Sequence, residues 1–208
     1  MENKSLNRRD ILRGFGVVAL SLPGLRFPAW GAQSAPPLRP QSDIPVINTM
    51  SVYGRGQWYY DPVGLYIRKG QTVRWNCTKW GVTVTAFHPS NDNHELRIPE
   101  AAEPFDSGVL GQTYKNTFDW TFDVEGTYDY FSRNHEILGM VGRIVVGSPG
   151  GPAEKYQPGY GAREGRAVVF PAQIELFSAL GSQEILAKKA IPFPQNLLVR
   201  TYPYGDWR

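Results

Sequence analysis

The chain has 208 residues, with 22 Lys and Arg, 19 Asp and Glu and a formal net charge of +3. This length supports one sizeable hydrophobic core, because two large domains would each be short of residues to bury. Residues 1–32 hold five basic and two acidic side chains, and 17 of each sign remain without them. A neutral remainder has no electrostatic footprint for nucleic acid, so we exclude that class of partner.

Residues 1–32 have the order of parts of an export signal. Arg8 and Arg9 precede an apolar run, Gly14 to Leu25, that is too short to span a bilayer, and small residues follow near Ala32. The order resembles a twin-arginine signal and predicts a periplasmic or otherwise extracytoplasmic protein with no transmembrane segment once it is removed. An uncleaved anchor or a disordered arm is the alternative.

Residues 33–45 are rich in Pro, Ser and Gln and predict a linker, after which strand-like segments begin. Short apolar or alternating segments follow, separated by Gly, Pro and Asx residues. They are Val46 to Val52, Gly64 to Arg68, Thr72 to Asn76, Val82 to Phe87, Tyr114 to Phe122, Gly126 to Phe131 and Gly142 to Val146. The pattern predicts an all-β sandwich or barrel over residues 46–147, with His88 to Gly108 as a long surface connection.

Residues 148–208 form a C-terminal extension of different composition. A Gly- and Pro-rich stretch predicts a linker, and apolar residues at helical spacing from Pro171 to Ala190 predict an amphipathic helix interrupted at Gly181. This short helix either packs back on the sandwich or binds a partner.

The most specific segment of the chain is Gly126 to Val146, which reads G-T-Y-D-Y-F-S-R-N-H-E-I-L-G-M-V-G-R-I-V-V. It resembles the C-terminal signature of plastocyanin- and azurin-like cupredoxins, and Asp61 to Trp75 and Thr85 to Pro89 are similar to upstream parts of that family. The resemblance implies a Greek-key β-sandwich, electron transfer with a protein partner, and a type 1 copper ion. Two imidazoles, one thiolate and a long axial thioether bind that copper.

Two of the four ligand positions that the resemblance implies carry other residues. His135 and Met140 match the loop histidine and the axial methionine, but Ser132 stands at the thiolate position and Val82 at the strand histidine. A serine hydroxyl is a hard donor that stays protonated near neutral pH, and valine donates nothing. A standard blue copper centre is therefore not expected.

Cys77 is the only cysteine, which excludes an intrachain disulfide. It follows the segment Thr72 to Asn76, and it either packs as a small hydrophobic residue or supplies sulfur to a rebuilt copper(I) site with His135 and Met140. Three residues of the long connection, His88, Asp92 and His94, suggest at most a weak metal patch, because no ligand spacing singles them out. His94 by itself is expected to be solvated or to tie its loop.

Two functions remain open from the sequence. The first is an exported cupredoxin-domain protein that lacks the blue centre and serves as a partner-binding or non-standard copper module. The second is a type 1-like electron carrier that uses His135, Met140 and an imported ligand such as Cys77. An enzymatic function is not expected, because Ser132 near His135 has no third group or oxyanion donors that the sequence can name.

Overall fold

The computed structural model describes residues 44–52, 57–77, 81–92, 94–111, 114–155, 160–163 and 166–197. The predicted signal, 1–32, most of the predicted linker, and the end of the extension, 198–208, lie outside these residues. None of the described helices is long and apolar enough to cross a membrane.

Two sheets form the body of the protein. The first contains β1 Val46–Val52, β2 Gln57–Asp61, β4 Thr72–Asn76 and β6 Thr117–Thr121, in the order β2-β1-β4-β6. The second contains β3 Gly64–Ile67, β5 Thr85–Ala86, β7 Gly126–Phe131, β8 Val141–Val146 and β11 Ala190–Ile191, in the order β11-β3-β8-β7-β5. The pairs β1/β4 and β3/β8 are parallel and the other pairs are antiparallel, so the chain crosses between the sheets repeatedly. The predicted all-β sandwich is confirmed.

Strand alternation explains the inner core. In β4, Val73 and Trp75 are fully buried while Thr72, Arg74 and Asn76 point outward, as the period of two requires. The side chains between the two sheets form one apolar cluster; among its largest members are Ile47, Tyr60, Trp75, Phe105, Phe122, Tyr128 and Tyr130.

The second sheet is buried on both faces. Every residue of β7 and β8 is buried, because the C-terminal extension covers the outer face. The extension contributes α1 Pro152–Lys155, α2 Pro171–Ser178 and α3 Ser182–Lys188, and the hairpin of β9 Tyr160–Arg163 and β10 Arg166–Val169 lies between α1 and α2. A second apolar cluster joins sheet and extension; its members include Val63, Phe87, Phe131, Val141, Val145, Leu176, Phe177, Leu180 and Ile185. The predicted broken helix therefore packs back on the sandwich.

Three charged side chains are buried under the extension. Asp129 accepts hydrogen bonds from Arg97 at 2.6 and 2.8 Å and from Arg143 at 2.7 and 3.0 Å, and Arg143 also donates to the carbonyl of Leu180 at 2.9 Å. Both guanidinium groups face the ring of Phe177, at 5.2 and 5.4 Å. We call Arg97, Asp129 and Arg143 the buried ion triad.

Before β7, the structure departs from the predicted strands by more than one residue in three places. The strand β2 was missed, because its aromatic run Trp58 to Tyr60 does not alternate in polarity. The predicted strand Val82 to Phe87 shrinks to β5, since the backbone of Thr83 binds side chains of other segments instead of a neighbouring strand. The predicted Tyr114 to Phe122 strand begins only at Thr117.

Candidate functional site

Three of the predicted site residues lie on one tight loop between β7 and β8, which we call the 132–140 loop. The backbone N–H of Ser132 donates to the carbonyl of Met140 at 3.0 Å, and the N–H of Met140 donates to the carbonyl of His135 at 3.1 Å. A short 3₁₀ turn, Glu136–Leu138, ends at Gly139, whose φ of 83° is in the left-handed region. A side chain at Gly139 would also collide with Ala172 of α2, so both the backbone conformation and the packing require glycine at this position.

Thr83 fixes the loop to the segment before β5. Its backbone N–H donates to the Ser132 side-chain oxygen at 3.2 Å, and its hydroxyl accepts the N–H of Arg133 at 2.9 Å. Its carbonyl accepts a hydrogen bond from the Tyr60 hydroxyl at 2.5 Å. One residue thus holds position 132, position 133 and a buried tyrosine together.

His135 faces Ser132 and is covered by an indole. Its Nδ1 lies 3.2 Å from the Ser132 oxygen, and its ring stacks on Trp58 with centroids 4.1 Å apart and planes 20° from parallel. The side chain is 9% exposed, and burial lowers its pKa to about 4. The imidazole is therefore neutral at physiological pH.

The described residues do not fit a type 1 copper centre. Val82 is fully buried in the apolar core, and its backbone forms an isolated bridge with Leu110. Its aliphatic side chain offers no donor to a metal ion. Met140 is also buried, while the Nδ1 of His135 is engaged by the Ser132 hydroxyl. Within the described residues, no group of three or more His, Cys, Asp and Glu side chains is placed to hold a metal ion.

Cys77 lies in the same core, directly after β4. Its side chain is fully buried, and burial raises the pKa of its thiol to about 12, although a hydrogen bond with Thr49 acts in the opposite direction. A thiol with so high a pKa is a poor source of the thiolate that copper prefers. This environment is the one expected for the packing role, and the alternative of a site with His135 and Met140 stays a prediction.

The residues of the suggested weak metal patch have separate partners. The Nδ1 of His88 contacts Ser90 at 2.7 Å, and Asp92 pairs with Arg133 at 2.6 Å. His94 is buried rather than solvated, with its Nε2 2.7 Å from the carboxylate of Glu136. His94 therefore ties the long connection to the 132–140 loop, which is the loop-tying role that the sequence suggested.

Trp58, Tyr60 and Thr83 are the members of the site that sequence reasoning missed. Trp58 and Tyr60 lie in a short aromatic run and Thr83 in a predicted strand. None is a ligand-like residue type, and each enters the site through packing or backbone geometry. The run of three aromatic residues from Trp58, immediately before the segment that resembles the copper proteins, was the one available signal.

Comparison with protein-family models finds no match, and comparison with curated proteins finds none either. Among solved structures, pseudoazurin from Methylobacterium extorquens AM1 is similar at 19% identity over 68% of this chain and 99% of that one, with a TM-score of 0.49. Pseudoazurin from Hyphomicrobium denitrificans is similar at 18% identity over 50% and 76% of the two chains, with a TM-score of 0.41. A purple cupredoxin from Nitrosopumilus maritimus follows at 21% identity over 49% and 98%, with a TM-score of 0.37.

Likenesses of this size say nothing about function. The fold follows from the chain itself: two sheets joined by parallel crossovers, with the predicted Ser132, His135 and Met140 on the loop between two neighbouring strands. The chain has a cupredoxin-like sandwich fold with a helical C-terminal extension packed on its second sheet.

Proposed function

We propose that this protein is an exported cupredoxin-fold binding module in which a hydrogen-bonded cluster stands in place of a blue copper centre. The observation that carries the proposal is the closed polar cluster of Thr83, Ser132 and His135, sealed by Tyr60 inside and Trp58 outside. The Nδ1 of His135 is engaged by Ser132, so a metal ion would have to break this hydrogen bond to bind that nitrogen.

The energetic balance supports this proposal. A copper ion in this cluster would gain the imidazole of His135 and the thioether of Met140, two donors of the four that a type 1 centre uses. Binding through the Nδ1 of His135 would displace its hydrogen bond with the buried Ser132 side chain, a net loss of about 0.5–1.5 kcal/mol. The alternative is a copper electron carrier that uses Cys77 as a further ligand beside His135 and Met140. It would need a thiolate from a thiol whose pKa is about 12.

The experiment is copper loading of the full chain after export and removal of bound metal by a chelator. We expect neither stoichiometric copper nor the intense visible absorption of a copper–thiolate bond. That absorption, if abolished by Cys77→Ser, would establish the carrier and overturn the binding module. Stoichiometric copper without it would identify a non-standard copper module.

The proposal includes export of the chain from the cytoplasm by its paired-arginine leader. Replacing Arg8 and Arg9 with lysine keeps the charge of the leader while removing the paired arginines. Fractionation of cells expressing both forms then reports the compartment. We expect the native chain outside the cytoplasm and the variant inside it, and equal distribution of the two would contradict export by this route.

A further inference from the structure

The two sheets of the body end in four edge strands, and three of these are covered or very short. The long connection pairs with β5, where Thr85 forms a bridge with Asp106. The segment after β11 lies beside β2, and Phe193 packs on Tyr59 with ring centroids 4.4 Å apart. The third edge strand, β11, has two residues. The fourth, β6, pairs within the described residues with β4 alone.

Every second residue of β6 directs its backbone polar groups to the open edge. The N–H of Cys77 donates to the carbonyl of Asn116 at 2.6 Å, and the N–H of Phe122 donates to the carbonyl of Gln71 at 3.0 Å. The even-numbered residues of this strand therefore face β4, and the odd-numbered residues face away. The residues that face away are Thr117, Asp119 and Thr121. Their N–H and carbonyl groups form no backbone hydrogen bond within the described part of the chain, so the edge is a template for a further strand.

The side chains of β6 alternate between an apolar and a polar face. Phe118 and Trp120 face the core, where Phe118 packs on Trp75 and Trp120 on Phe105, with ring centroids 5.7 and 5.5 Å apart. Both aromatic side chains nevertheless stay partly exposed at the edge, whereas the three odd-numbered residues are exposed on the outer face. A strand that extends the sheet beyond β6 therefore needs apolar side chains on its inner face and polar side chains on its outer face.

We propose that β6 of a second copy of the chain docks on this edge, antiparallel to the first and about a two-fold axis beside Phe118. The first sheets of the two copies then form one continuous sheet. The strand β6 itself has the apolar and polar faces that the open edge requires, and a two-fold axis satisfies both open edges at once. Outside residues 1–32 the chain carries 17 charges of each sign, so no net charge opposes the contact. The assembly does not depend on what the 132–140 loop binds.

The charge of Asp119 selects the register of the two strands. An axis at Asp119 would place two carboxylates directly opposite each other, which destabilises a strand pair. An axis at Trp120 would place the same two carboxylates diagonally across the pair. An axis at Phe118 instead places Asp119 of each copy opposite the hydroxyl of Thr117 of the other copy. Lys115, which is exposed and two residues before that threonine, adds the opposite charge.

Hydrogen exchange on the full chain tests this pairing residue by residue. The amides of Thr117 and Asp119 should exchange more slowly as the protein concentration rises, because only the second copy accepts their hydrogen bonds. The amides of Phe118 and Trp120 should be slow at every concentration, since they bond to β4. Sedimentation should show a weak dimer forming over the same range, because one short strand makes a small contact. A monomer with fast exchange at Thr117 and Asp119 up to about 1 mM chain, or slow exchange there already in the monomer, would overturn the proposal.

A variant at the first residue of β6 removes the hydrogen bond between copies. Thr117→Pro deletes an N–H that faces the open edge, and proline is tolerated at the first residue of an edge strand. The axis doubles the loss, so the dimer should weaken at least about tenfold. Thr117→Val is the matched control, because it keeps the N–H and the branched shape and should retain the dimer. Slow exchange at Phe118 and Trp120 verifies that β6 stays on β4 in both variants, and equal dimerisation of the two would contradict the proposal.

Discussion

The side-chain oxygen of Ser132 accepts the backbone N–H of Thr83 at 3.2 Å. Position 132 therefore already places its terminal atom against a fixed hydrogen-bond donor, in a buried pocket that also faces the imidazole of His135. A sulfur anion at this position would be stabilised by the same N–H, because hydrogen bonds to the charged form of a thiol favour it.

From this arrangement we predict that two substitutions create a blue copper centre. Val82→His with Ser132→Cys supplies the missing imidazole and thiolate to a loop that already holds His135 and Met140. The double variant should bind about one copper ion per chain and show an intense visible copper–thiolate absorption. Visible spectra and metal analysis after copper addition measure both.

The matched control is Val82→His with Ser132→Ala, which carries the same new histidine but no sulfur at position 132. It should lack the visible band. If the double variant binds copper without that band, the four positions do not converge as the cupredoxin resemblance implies.

The pKa of His135 predicts a dependence of stability on pH. Burial lowers this pKa to about 4, whereas an unfolded histidine titrates near 6.5. Between these values the unfolded chain binds more protons than the folded one, so the free energy of unfolding falls as the pH drops from about 6.5 to 4. The full effect is on the order of 3 kcal/mol.

Urea unfolding at pH 7 and at about pH 4.5 measures this loss. Carboxylates also titrate in this window, so the comparison is made against His135→Gln, which cannot take up a proton. The native chain should lose more stability than the variant on acidification. Equal losses would mean that His135 is not desolvated in solution.

The sequence predicted what depends on residue type and local period. Alternation gave the inward Val73 and Trp75, and the spacing of the loop motif placed Ser132, His135 and Met140 on one turn. These features are local, because the alternation of a strand and the closure of a tight loop do not depend on what packs against them.

The missed parts of the site depend on contacts distant in the chain. Thr83 is 49 residues from Ser132, and Tyr60 is 23 residues from Thr83. Neither threonine nor tyrosine indicates by its type which group it will hydrogen-bond with. Only the packing of the two sheets brings these residues together. His94 shows the same limit: the sequence left a solvated or a loop-tying role open and named no partner, and Glu136, 42 residues away, provides a buried one.

A glycine in β8 makes room for a buried ring of the core. A side chain at Gly142 would lie 2.4 Å from the hydroxyl end of Tyr130, its partner across β7 and β8. Gly142→Ala should therefore lower the free energy of unfolding by about 1–3 kcal/mol, the usual cost of overpacking. Gly150→Ala is the control, since a methyl group there meets no atom within 4 Å and should change stability little. If denaturant titrations show an equally small change in the free energy of unfolding for both variants, Tyr130 is free to move aside.

The buried ion triad predicts a larger loss of stability. Asp129→Asn removes the charge that Arg97 and Arg143 share while keeping the shape of the side chain. Two buried guanidinium groups then face each other without a carboxylate between them, and breaking a buried pair in this way costs about 3–5 kcal/mol. Since Arg143 also holds the carbonyl of Leu180, the extension should loosen from the second sheet.

Asp119→Asn is the matched change at the surface, because Asp119 pairs with Arg74 where both side chains are about 40% exposed. It should cost no more than about 1 kcal/mol. Hydrogen exchange distinguishes the two variants further: Asp129→Asn should speed exchange of the amides of α2 and α3, whereas Asp119→Asn should leave them unchanged. Slow exchange in both would mean that the apolar cluster around Phe177 holds the extension without the triad.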